Sequence, residues 1–67
     1  MKLNRLKEVL TEEGRTNKWL AEKVGKSQVS VSRWCSNTTQ PSLETLWEIA
    51  SVLDVDVRVL IKSNKEK

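Results

Sequence analysis

Histidine, phenylalanine and tyrosine are missing from this chain, and its 67 residues include one cysteine, one proline and two glycines. Without His, and with Cys35 alone, the usual zinc-ligand sets and acid–base clusters cannot be assembled and no internal disulfide can form. A reducing, cytoplasmic setting is the expected one. The lack of Phe and Tyr removes the aromatic platforms on which single-stranded RNA bases stack. No nucleophile, base and oxyanion donors can be gathered into a reaction site, so the chain is not expected to be an enzyme, and no cofactor, metal or small-molecule ligand is indicated. No apolar run approaches the roughly 20 residues that cross a bilayer. The first stretch, MKLNRLKEVLTEEG, is amphipathic where a signal peptide has an apolar block, so no membrane association is expected.

A chain this short makes one domain, and it buries only a modest share of its surface, so stability must come from a compact core or from a partner subunit. The charge is uneven. Residues 1–37 hold eight Lys/Arg against four Glu, and residues 38–67 hold four against five acidic residues, which gives the overall +3. The basic excess of the first half suits a polyanionic partner, although its size makes it weak support by itself.

The most informative stretch is Asn17 to Ser36, NKWLAEKVGKSQVSVSRWCS. It divides at Gly25 into two short amphipathic pieces, with Leu20, Ala21 and Val24 before the glycine and Val31 and Trp34 after it. Ala21 is small enough for a second helix to cross nearby, Gly25 can take a positive φ, and Ser27 is a good N-cap for the second piece. Two short helices meeting at such a corner form a helix-turn-helix. On a wheel of about 100° per residue, Ser27, Ser30, Val31 and Trp34 share one arc. Gln28, Val29, Ser32, Arg33 and Ser36 share the other. That outer arc is short and polar, suited to reading base edges in the major groove of DNA.

Along the rest of the chain, Leu3, Leu6, Val9 and Leu10 predict a first helix from about residue 2 to Glu13, ended by Gly14. Thr16 caps the second helix and leaves Asn17 and Lys18 in a first turn whose free N–H groups attract phosphate. The polar loop from Asn37 to Pro41 comes after the third helix, and Asn37 suits the left-handed conformation that ends it. Ser42 caps a fourth helix to about Leu53, with Leu43, Leu46, Trp47, Ile49, Ala50 and Leu53 as its apolar face. Val55 to Ile61 is ambiguous. Its β-branched residues alternate with period two, yet Asp56 as N-cap with Val57, Leu60 and Ile61 reads as one or two helical turns. The helical reading is preferred, and a short intersubunit strand is the alternative. Residues 62–67 are charged and apolar-free, which predicts a flexible tail after a domain over residues 1–61.

The strings LAEKVGKS, SRW and QPSLETLWEIASVLDV, with the Ala21/Gly25/Val31 spacing, resemble the phage-repressor and Cro family of helix-turn-helix proteins, the XRE-like group, over about residues 3–61. The resemblance implies an all-α, compact five-helix, lambda-repressor-like domain that binds operator DNA, commonly as a homodimer. It places Gln28, Val29, Ser32 and Arg33 at base-contacting positions. Asn17 and the loop of Asn37, Thr38, Thr39 and Gln40 fall where the family meets phosphates; Thr16, Lys18 and Lys26 lie beside them. The chemistry agrees: Arg33 can fork onto guanine, Gln28 can pair with adenine, Val29 can touch a thymine methyl, and Ser32 can serve several bases.

Some positions depart from the family. An Arg–Glu ion pair between the first and third helices is replaced by Leu10 and Cys35, which are expected to touch. Lys26 stands where the turn usually has an apolar residue, and Asn37 and Asp54 stand where glycine is frequent. Trp34 and Trp47 are expected in the core, whereas Trp19 lies at the edge of its helix's apolar arc. Val57, Val59 and Ile61 are too many β-branched side chains for one terminal turn to hide, which suggests a dimer surface. The function expected is a sequence-specific transcriptional regulator, a repressor or switch. The alternative is a DNA-binding antitoxin or protein-interaction module that holds a second protein near Trp19 or the fifth helix.

Overall fold

The computed structural model describes residues 2–65. Four α-helices are followed by one 3-10 turn: α1 (Leu6–Glu12), α2 (Asn17–Val24), α3 (Gln28–Cys35), α4 (Leu43–Leu53) and the turn Val57–Leu60. The chain is all-α, but the expected fifth helix is this single tight turn. Asp56 caps it through a bond from the Arg58 N–H, and four residues are all that separate that cap from the extended Ile61. The backbone coils once and then extends, and Ile61 forms an antiparallel bridge with Asn4 of the same chain rather than with another subunit.

That bridge also explains why α1 begins at Leu6 and not near residue 2. The Arg5 N–H donates to the Leu60 carbonyl at 2.8 Å and the Lys62 N–H to the Leu3 carbonyl at 2.9 Å. Backbone groups used this way are not available to a helical ladder. Lys62, expected to open the flexible tail, is thus tied to the beginning of the chain, and residues 66–67 of that tail lie outside the described residues.

Helix boundaries elsewhere follow the caps. Thr16, Ser27 and Ser42 each accept a backbone N–H three residues on, from Trp19, Ser30 and Thr45. Gly25 ends α2 in the left-handed region at φ 68°, and Asn37 and Asp54 adopt φ 61° and 57° where the loops after α3 and α4 require it. Glycine is not obligatory at such positions, because the short polar side chains of Asn and Asp tolerate them better than most.

The core collects Leu6, Val9 and Leu10 from α1, Leu20 and Ala21 from α2, Val31 and Trp34 from α3, and Leu46, Ile49, Ala50 and Leu53 from α4, closed by Leu60. Leu60 is wholly buried, so the last turn is a core element rather than an appendage. Two residues expected in the core are not there. Trp47 is 65% exposed and Leu43 77% exposed. Leu46, Ile49, Ala50 and Leu53 already fill the inward stripe at spacings of three and four, and Trp47 is rotated by about 100° from Leu46. Leu43 stands in the first turn. Trp34 is buried as expected, and Trp19 is half-buried against the core with the Arg15 guanidinium 4.5 Å and the Lys23 ammonium 5.9 Å from its ring centre.

Candidate nucleic-acid interface

Among the described residues, no element covers the side of α3 that faces away from Val31 and Trp34. Gln28, Val29, Ser32 and Arg33 are all exposed, Val29 by 62%, and with Asn17 from the start of α2 they line one shallow open cleft. The four expected base readers and one expected phosphate contact are therefore neighbours, because the Gly25 corner sets the N-terminus of α2 beside the outer face of α3. An apolar residue as exposed as Val29 in so short a polar strip is suited to a thymine methyl. Among the described residues no carboxylate lies in an ion pair with Arg33, Lys18 or Lys26.

At the first turn of α2, the Thr16 hydroxyl accepts from the Trp19 N–H at 3.1 Å. The N–H groups of Asn17 and Lys18, two residues and one residue earlier, are left at the open helix end, where anions are favoured. The Asn17 Oδ1 accepts from the Cys35 thiol at 3.4 Å, which ties the start of α2 to the end of α3. Cys35 is half-buried, and that burial pushes its thiol pKa up, with the nearby Lys7 ammonium working weakly against it. Leu10 and Cys35 border the same cleft between α1 and α3, with Cys35 packed against the core.

This second cleft contains cations that reasoning from the sequence did not select. Lys2, Lys7 and Arg15 line it together with Thr16, Asn17, Ser32 and Ser36. Lys2 and Lys7 lie far from the helix-turn-helix in sequence, and only the packing of α1 against α3 brings them beside it. A spacing signal could not have found them; the basic excess of residues 1–37 was their only trace.

The loop after α3 is arranged differently from the rest of the expected phosphate set. The Asn37 Oδ1 accepts the N–H groups of Leu3 and Asn4 at 2.7 and 2.9 Å and the Gln40 amide at 3.1 Å. Gln40 in turn accepts from the Asn4 amide at 2.7 Å. Both side chains are committed to the chain's own first extended segment, while Thr38 and Thr39 are exposed and Lys26 is exposed at the corner. Asn4 is the hub of this network, buried to 6% although polar, and it donates to the Trp34 carbonyl and accepts from the Leu6 N–H.

The helix-turn-helix family profile matches residues 6–60. The chain belongs to the helix-turn-helix family. It is the DNA-binding kind, the phage-repressor and Cro type whose motifs it carries. A crystal structure from Bacteroides fragilis, described as a candidate DNA-binding protein, is 58% identical, with a TM-score of 0.89 over 92% of this chain and 100% of that one. The N-terminal DNA-binding domain of SinR from Bacillus subtilis is 33% identical, with a TM-score of 0.75 over 92% of this chain and 91% of that one. No curated protein gives a match. Helix-turn-helix domains bind DNA and are not enzymes, and membership carries that to this chain. No helix among the described residues is long and apolar enough to cross a membrane.

Proposed function

We propose that this helix-turn-helix protein is a sequence-specific transcriptional repressor or switch that places α3 in the major groove of a pseudo-palindromic operator and binds there as a homodimer. The observation that carries the reading is the bare outer face of α3, where Gln28, Val29, Ser32 and Arg33 share one open cleft with Asn17. Arg33 would fork onto guanine O6 and N7, Gln28 onto adenine N6 and N7, and Val29 onto a thymine methyl. Phosphates would be met by the N-terminus of α2 at Thr16, Asn17 and Lys18, by Lys26, by the hydroxyls of Thr38 and Thr39, and by the cleft of Lys2, Lys7 and Arg15. Asn37 and Gln40 serve this surface indirectly, holding the loop in place through Asn4. Two copies related by a twofold axis would set their α3 helices about 34 Å apart. The expected dimer residues Val57, Val59 and Ile61 are half-buried, 39% and 44% exposed, respectively, so each keeps apolar surface to offer.

Selection from a random duplex pool tests this directly. The bound sites are expected to share a half-site repeated with inverted symmetry at one helical-turn spacing. Recovery of unrelated sequences would leave a non-specific binder and defeat the reading. The partner-protein alternative loses support at Trp19, whose ring is half-buried and stacked beneath Arg15.

A further inference from the structure

Trp19 is the aromatic residue that neither the core nor the cleft of α3 explains. It stands in the first turn of α2, half-buried against the core, and the Arg15 guanidinium carbon lies over its ring at 4.5 Å from the centre. The Lys23 ammonium, at 5.9 Å, is at the limit of that attraction, so Arg15 is the ring's main occupant. Arg15 also lines the basic cleft between α1 and α3, together with Lys7, Thr16 and Asn17. We infer that Trp19 is a positioning residue for DNA binding: its ring holds the Arg15 guanidinium beside the N-terminus of α2 as a phosphate fork shaped before the duplex arrives.

Both ends of the Arg15 side chain are fixed. Its backbone N–H donates to the Leu10 carbonyl at 2.9 Å, in the loop where Gly14 turns the chain out of α1 at φ 68°, and its guanidinium rests over the indole. The ring attracts the cation without neutralising it, and the N–H donors turned away from the ring stay open to phosphate oxygens. Among the described residues, no carboxylate forms an ion pair with Arg15, whereas the Arg5 guanidinium lies against Glu8 and Glu12. Arg5 is neutralised within the chain; Arg15 is not.

A stabilising contact alone does not account for the charge. The positive end of a helix dipole favours acidic side chains, yet the first turn of α2 has none; it contains Lys18 and follows Arg15. In the free chain these cations oppose the open N–H groups of the helix, and a phosphate set among them removes that opposition. The ring contributes the ordering. An arginine free to turn loses rotamer freedom when it meets a phosphate, whereas one already seated over an indole loses little. The gain is the same for every sequence, because phosphates carry no base identity. This inference rests on the phosphate surface proposed above and adds to it the residue that orders one of its cations.

Binding of the full-length chain to a duplex of arbitrary sequence at low salt, where phosphate contacts supply the affinity, tests it apart from operator recognition. Arg15→Ala should weaken binding and lower the slope of log affinity against log salt by about 1. Trp19→Leu should weaken binding by about three- to tenfold with the slope unchanged, since the charge remains and only its ordering is lost. Added to Arg15→Ala, Trp19→Leu should change the affinity by less than about twofold. Trp19→Phe, which keeps an aromatic face, should retain most of the wild-type affinity. In the free chain the ring current should shift the Arg15 δ-methylene protons upfield, and Trp19→Leu should abolish that shift; circular dichroism establishes that the variants fold. An unshifted Arg15 in the free wild-type chain, equal losses from Trp19→Leu with and without Arg15, or an Arg15→Ala variant with wild-type affinity and slope would each overturn the assignment. Failure of the α3 reading would look different: one affinity for every duplex, with the coupling of Trp19 to Arg15 intact.

Discussion

Asn37 and Asn4 hold each other reciprocally: the Asn37 Oδ1 accepts the Asn4 N–H at 2.9 Å, and the Asn37 Nδ2 donates back to the Asn4 carbonyl at 3.2 Å. The residue that ends α3 in the left-handed region is thus also the clamp on the first extended segment, and through Gln40 on the loop that leads to α4. α3 is steadied by a polar clamp at its far end.

Asn37→Gly keeps the left-handed backbone and removes the amide, so it separates the two roles. We expect a loss of about 1–3 kcal/mol in urea unfolding, from N–H groups deprived of their acceptor. Asn37→Ala should lose more, by roughly 1 kcal/mol, because alanine also resists a positive φ. Equal stability of the glycine variant and the wild type would show that water replaces the amide without loss.

Arg33→Ala should reduce discrimination at one base position of the selected half-site by about 1–3 kcal/mol while leaving the phosphate contribution in place. The measurement is a competition between the selected duplex and its single-base variants. If the preference at every position is unchanged, Arg33 reads no base.

Lys7→Ala should behave in the opposite way. Lys7 borders the cleft at the start of α2, so its removal should weaken binding to all sequences alike and lower the slope of log affinity against log salt by about 1. A changed base preference with an unchanged slope would remove the cleft from the phosphate surface.

Legibility tracks the range over which each interaction acts. The caps at Thr16, Ser27, Ser42 and Asp56, and the left-handed positions Gly25, Asn37 and Asp54, are local matters of one side chain and its own backbone, and all are readable from the sequence. The helix-turn-helix and the outer face of α3 come from periodicity over one short stretch. The features that escape are set at long range. A polar Asn4 gives no pattern signal, yet it is buried because Trp34, Asn37 and Gln40, thirty or more residues away, close around it. The shortened α1 has the same origin, since its first turn is exchanged for pairing with residues 60–62. Periodicity misplaces Trp47 because α4 is apolar around more of its circumference than its neighbours can cover.

The Cys35 thiol should resist alkylation. Burial raises its pKa above the ordinary value of 9.0, which lowers the thiolate fraction at neutral pH, and the thiolate is the reactive form. With the native pKa raised, the unfolded chain loses its proton first as pH climbs. The thiol's contribution to stability is therefore whole below the unfolded value and is lost as pH rises through the folded one. Iodoacetamide should modify the native chain more slowly than the urea-unfolded chain at pH 8. Equal rates would mean that the thiol is as ionised and open as in a free chain.

Asp56 offers the complementary acid-side test. Hydrogen bonds from the Arg58 side chain, and then from its backbone N–H, lower the carboxyl pKa from 3.8 to about 2. Since the native value is the depressed one, the stabilisation from this cap is present above pH 3.8 and is lost as pH falls toward about 2. The pair is exposed, so solvent and salt screen it and the effect on unfolding is small; the carboxyl carbon shift followed by NMR is the sharper readout. It should titrate well below 3.8, and Arg58→Ala should return it only part of the way, because the backbone N–H remains. An Asp56 that titrates near 3.8 in the wild-type protein would show that the cap at Val57 is not formed in solution, and with it would go the reason the chain turns once before Leu60 enters the core.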